Sequence, residues 1–206
     1  MHKVDTVGDL RGRVGPALEV AANKEMPRLD AHCRHFISLS PILFISTTGA
    51  DGRADVSPRG DPPGFVKVLD ERTILLPDRP GNRRVDTRSN ILGNPGSSVG
   101  LIFLVPGVDE VLRASGRASV TSDPALLQTM AVNSKVPKLA VKIALDEVFF
   151  HCGKALKRAR IWDPAMKIER NSFPSMGQLI HDQRKPDRPV DALDAFVENN
   201  YRTELY

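Results

Sequence analysis

The chain has 206 residues, of which 41% are hydrophobic, 26% charged and 5% aromatic, and it carries a formal net charge of +4. That length buries one sizeable core with extensions rather than two full domains, and the balance is that of a soluble globular protein. No apolar run approaches the ~20 residues that cross a bilayer, and interleaved charges with few aromatics lack the concentrated basic stripe of a general nucleic-acid binder. Neither membrane nor nucleic acid is an expected partner. The polar, mixed-charge start lacks a secretory stretch, so a cytoplasmic location is expected. Cys33 and Cys152 are too few to form a disulfide framework and are read as reduced thiols.

Residues 13–40 carry a helical pattern broken at Pro27, because proline cannot donate within a helix. From Pro41 the pattern turns β-rich. "PILFISTT", the turn "GADG" and "RADVSPRG" read as a hairpin. "RTILLPD", "SSVGLIFLV", "DEVLRASGRASVT" and "VKIALDEVFFHC" bring the predicted strands to six, enough for an antiparallel sheet that closes on itself. Two helices interrupt them. One is "NRRVDTRSNILGNP", with a Gly-Asn-Pro stop; the other is "SDPALLQTMAVNS", with Asp123 as N-cap and Pro124 in the first turn. After Cys152 come a basic stretch and short helical segments, "SMGQLIHDQ" and "DALDAFVENNY". The expected organisation is a helical lead-in over 1–40, a barrel over 41–164 and a helical extension over 165–206.

Three stretches bear on chemistry. "RPGNRR" follows a strand and opens a helix, so first-turn N–H groups and the guanidinium forks of Arg83 and Arg84 share a direction suited to a phosphate. The competing reading is a solvated turn. "DVSPRGDPPGF" has three prolines and two glycines, which stiffen the chain where a flat ligand could rest on main chain. A proline-terminated edge strand accounts for it equally well. "HCRH" sets His32 and His35 on one helical face, but Cys33 points elsewhere and no second cluster completes a metal shell, so no metal is expected. "HC" at 151–152 lacks a third group to orient His151 as a base, and no side chain is assigned a catalytic role.

Taken in order, "SPRGDPPGFV", "LPDRPGNRR", "LRASGRA", "HCGKA" and "IWDP" resemble the FMN-binding split-barrel flavoproteins of the pyridoxamine 5'-phosphate oxidase-like family, over roughly residues 30–164. The resemblance implies a mainly β protein with flanking helices (α+β), a six-stranded antiparallel split β-barrel of FMN-binding type. It implies FMN lined by Ser57, Pro58, Arg59 and Gly60, flanked by Pro77 and Asp78, and held by its phosphate on Arg83 and Arg84. It further implies a homodimer whose partner subunit supplies residues at the positions of His151, Cys152 and Lys154, and less directly Trp162. The implied activity is FMN-dependent oxidoreduction of a small-molecule substrate, with NADH or NADPH as a candidate donor and the redox-active atoms those of FMN. A flavin carrier or sensor, or a relative holding a deazaflavin or haem, is the alternative. Two departures argue against pyridoxamine phosphate itself as substrate: "GDPPGF" stands where those oxidases carry a lysine, and their C-terminal arginine-histidine motif is missing. Arg88 also stands where the closer relatives carry an apolar residue.

Overall fold

Alternation builds the first strand. In β1 (Ile42–Thr48) the side chains of Leu43, Ile45 and Thr47 are buried while their neighbours are half-buried, the period-two pattern of a strand with one face on the core. The computed structural model, which describes residues 3–206, continues from it through β2 (Ala54–Gly60), β3 (Lys67–Val68), β4 (Thr73–Pro77), β5 (Ser98–Leu104), β6 (Val111–Thr121) and β7 (Ala140–His151). All pairings are antiparallel and the strand order is β2-β1-β5-β6-β7-β4-β3. This is the split-barrel architecture, with seven strands rather than the expected six. The extra strand, β3, is two residues long, too short to leave a periodic signal.

Side chains from β1, β4, β5, β6 and β7 meet in one cluster, which includes Leu43, Ile74, Phe103, Leu112 and Ile143. Burying each such side chain contributes about 1.5–3 kcal/mol, so this cluster dominates the fold's stability. β2 sends no side chain fully into it and forms an edge, where the missing N–H of Pro58 is tolerated.

The lead-in is three helices, not one broken at Pro27: α1 (Val7–Val14), α2 (Glu19–Ala22) and α3 (Ala31–Leu39). The first two bury no side chain, whereas α3 drives Cys33, Phe36 and Ile37 into the core. Between α2 and α3 the chain is stitched to β7, Met26 and Val148 exchanging backbone hydrogen bonds of 2.9 and 2.8 Å. α3 starts at Asp30, whose carboxylate accepts the Cys33 N–H at 2.8 Å. That hydrogen bond holds the Asp30 carboxyl below its ordinary value. Its stabilising contribution is therefore present above the unfolded pKa of about 3.9 and lost as pH falls through the lower folded value. Asp30→Ala is expected to cost about 1 kcal/mol at pH 7 and progressively less below pH ~4, measured by urea unfolding at both pH values. Equal losses at both would refute the assignment. Burial of Cys33 raises its thiol pKa to about 11, so it behaves as a core side chain.

The helix expected from Asn82 begins later. Arg83 and Val85 both sit in the left-handed region, at φ 60° and 59°, which keeps "RPGNRR" a loop and delays α4 to Asp86–Gly93. α4 is moored by polar side chains. Asn90 Nδ2 donates to the buried Thr47 Oγ1 at 3.0 Å, and Asn94 Nδ2 to the Thr48 carbonyl at 3.2 Å. α5 (Pro124–Gln128) starts as expected, with Asp123 accepting the Ala125 and Leu126 N–H groups. Beyond β7 come α6 (Lys154–Ala159), α7 (Met176–Arg184) and α8 (Val190–Thr203); the Gly177 N–H at the start of α7 donates to Asp194 of α8 at 2.7 Å. No helix among the described residues is long and apolar enough to cross a membrane.

Candidate functional site

Where α4 crosses the edge strand, a cleft of about 1060 Å³ opens between β2, the loop after β4 and the 135–138 loop. Period two in β2 puts Asp55, Ser57 and Arg59 on its half-buried face. α4 meets that face through Thr87, whose Oγ1 accepts from Arg59 Nη2 at 2.9 Å and donates to Asp55 at 3.3 Å. Opposite, Pro77 ends β4 against Ala140 of β7, and the Asp78 N–H donates to the Leu139 carbonyl at 3.0 Å, fixing where the loop leaves the sheet.

The floor carries a coupled charge cluster. Arg88 pairs with Asp78, the two side chains being 17% and 22% exposed. Burial pushes the Asp78 carboxyl above its ordinary value against the pull of Arg88 and Arg59, so desolvation outweighs pairing there. Burial and the neighbouring Arg88 likewise hold Arg59 below its ordinary value.

The mouth differs. Arg84 is exposed, pairs with Asp86 at 2.7 Å and is held above its ordinary value by that hydrogen bond. Arg83 is also exposed and makes no ion pair or side-chain hydrogen bond among the described residues. Val85, at the N-cap of α4, offers no side-chain cap, which leaves first-turn N–H groups facing the same loop. A β-branched residue at positive φ is strained, and such strain gathers at ligand-binding loops.

Ser57, Pro58, Arg59, Gly60, Pro77, Asp78, Arg83 and Arg84 therefore line one cleft. His151, Cys152 and Lys154 do not line it. His151 closes β7 at the end opposite Ala140, and eleven strand residues at ~3.3 Å each put it up to about 36 Å along the strand from Pro77. Its Nδ1 lies 3.2 Å from the Cys152 carbonyl oxygen, Cys152 is exposed and Lys154 opens α6. Trp162 donates its indole N–H to the Val108 carbonyl at 3.0 Å. Residues not singled out from sequence also line the cleft: Arg79, Thr87, Lys135, Lys138 and Tyr206. Arg88, which the sequence marks by its departure from an apolar residue, lines the cleft from α4. Tyr206, brought in from far along the chain, carries no such mark.

Residues 29–152 match the family model described as Pyridoxamine 5'-phosphate oxidase. Solved structures similar to the chain include HupZ of Group A Streptococcus, at 17% identity over 59% of this chain and 93% of that one, with a TM-score of 0.48. HutZ, the haem storage protein of Vibrio cholerae, is similar at 15% identity over 61% and 94%, with a TM-score of 0.42. An FMN-binding protein of Syntrophomonas wolfei is similar at 12% identity over 57% and 86%, with a TM-score of 0.42. Likeness of this depth says nothing about which ligand this cleft takes. Among curated proteins nothing matches the chain.

Proposed function

Since the chain belongs to the pyridoxamine 5'-phosphate oxidase family across residues 29–152, we propose that it is an FMN-dependent oxidoreductase acting as a homodimer. One observation carries the reading: β2, β4 and the loop before α4 bring a stiff main-chain wall, a half-buried arginine and two exposed arginines around one cleft. A volume of about 1060 Å³ suits a flavin mononucleotide, since small-molecule pockets run to roughly 1,000 Å³. The uncapped start of α4 with Arg83 and Arg84 fits a terminal phosphate. The paired exposed arginines beside the uncapped start of α4 favour a ligand with a compact terminal phosphate over haem.

FMN, when bound, supplies two-electron chemistry that no side chain here provides. The protein's part is placement. Arg83 and Arg84 would hold the phosphate, while Ser57 to Gly60 and Pro77 with Asp78 would flank the ring system. Arg59, fixed by Thr87, would keep a positive charge beside it where little water screens it. In the homodimer, the partner would bring the His151–Lys154 region to the cleft, where its own chain cannot reach. The substrate is a small redox molecule other than pyridoxamine phosphate, with NADH or NADPH as donor.

The test is the visible spectrum of the purified protein, followed by stopped-flow mixing with NADH and NADPH and by sedimentation. The reading expects two flavin bands, their bleaching by a nicotinamide, recovery in oxygen and a dimer at micromolar concentration. A protein that binds no FMN refutes the cofactor. Bound FMN that no donor reduces refutes turnover and leaves a carrier or sensor.

A further inference from the structure

Among the residues that line the cleft, three contacts converge on Tyr206. The Tyr206 hydroxyl donates to Asp61 at 2.5 Å, and Asp61, only 1% exposed, is also bound by Arg79 Nε at 2.5 Å. Arg79 is itself fixed by donating from Nη2 to the Met130 carbonyl at 2.9 Å. Its guanidinium carbon lies 5.5 Å from the centre of the Tyr206 ring, within cation–π range. From the other side Lys135 Nζ donates to the Tyr206 carbonyl at 2.8 Å. Glu204 and Tyr206 thus become part of the cleft lining.

The segment that delivers these residues is otherwise lightly held. α8 buries only Leu193, and Phe196 and Tyr201 are exposed, so the docking of Tyr206 depends on polar contacts that water can replace. The anchor on the barrel side differs in kind: a buried carboxylate already neutralised by Arg79 stays in place whether or not the tyrosine is bound. With Tyr206 docked the cleft measures about 1060 Å³, so the segment lines the cavity without filling it.

We propose that residues 204–206 form a strap across the 135–138 end of the cleft, latched by Tyr206 on Asp61, and that ligand enters and leaves when this latch opens. The strap rests on the FMN reading only for the identity of the ligand. Its latch is a property of the chain alone, and the tests keep the two apart.

The first test needs no ligand. Hydrogen–deuterium exchange of the 135–138 loop and of residues 200–206 is compared in wild type, Tyr206→Phe and Tyr206→Ala. Losing a hydrogen bond to a charged acceptor is expected to speed exchange in both segments about tenfold, in both variants, with the barrel strands unchanged. The Phe variant keeps the ring, so wild-type exchange in Tyr206→Phe overturns the latch, and wild-type exchange in Tyr206→Ala overturns the strap. The second test is stopped-flow FMN binding. Association and dissociation rates are expected to rise together by fivefold or more in Tyr206→Ala and in a chain ending at Thr203, with Kd moving less than threefold. Unchanged rates in variants that bind FMN overturn the gate. A wild type that binds no FMN refutes the cofactor reading instead, and the exchange result then decides the strap.

Discussion

Arg83→Ala is expected to weaken FMN binding about ten- to a hundredfold while leaving riboflavin affinity unchanged. A charge-assisted hydrogen bond contributes about 1.5–3 kcal/mol, and each 1.4 kcal/mol is a factor of ten. Arg83 should carry more of the phosphate than its neighbour. Arg84 already spends its Nε on Asp86 at 2.7 Å, so a phosphate must compete for it, whereas Arg83 has no such partner among the described residues. Arg84→Ala is accordingly expected to cost less than Arg83→Ala.

Backbone conformation confounds this comparison unless it is controlled, because Arg83 lies at φ 60°, where any side chain bearing a Cβ is strained. Arg83→Gly removes the guanidinium and relieves the strain together. Both variants should lose FMN affinity alike, while the glycine variant gains up to about 1 kcal/mol of stability over the alanine one. Parallel titrations with FMN and riboflavin decide the matter. Equal loss of both ligands would assign Arg83 to loop structure rather than to phosphate.

How far the site could be read from sequence depends on how local each part is. Pro77, Asp78, Arg83 and Arg84 sit within eight positions, and a strand end followed by a proline-glycine break suffices to gather them in one cleft. Ser57 to Gly60 lie across the cleft, yet their proline-rich stretch marks itself. The charged floor was harder. Its members are Asp55 and Arg59 on β2, Asp78 after β4, and Thr87 and Arg88 on α4, and only the docking of α4 by Asn90 and Asn94 makes them neighbours. The helix boundary was missed for a related reason. Nothing in "NRRV" forbids helix, and neither Arg83 nor Val85, which adopt the positive φ, is the glycine or asparagine that signals it in a sequence. Tyr206 lies beyond any local rule, because its partner Asp61 is 145 residues away.

The charged floor supports the other large effect. Arg88→Ala should destabilise the protein by roughly 2–3 kcal/mol at pH 7. This lies between the ~0–1 kcal/mol of an exposed pair and the ~3–5 kcal/mol of breaking a fully buried one, because both side chains keep some exposure and Arg59 still faces Asp78. The loss should shrink in acid. Burial sets the folded Asp78 carboxyl above its ordinary value, so its favourable contribution is complete below the unfolded pKa of about 3.9 and is lost as pH rises through the folded value. Deleting Arg88 removes an interaction that favours the ionised form and raises the folded value further. The variant therefore pays most where Asp78 must be charged and least where it is protonated. Urea unfolding at pH 7 and at pH 4 reads the difference directly, and Asp78→Asn combined with Arg88→Ala should recover most of the stability at pH 7, because no unpaired carboxylate remains. A loss that is the same at both pH values, or a double variant as unstable as Arg88→Ala alone, would mean that Arg88 acts through packing of its aliphatic stem and not through the charge of Asp78.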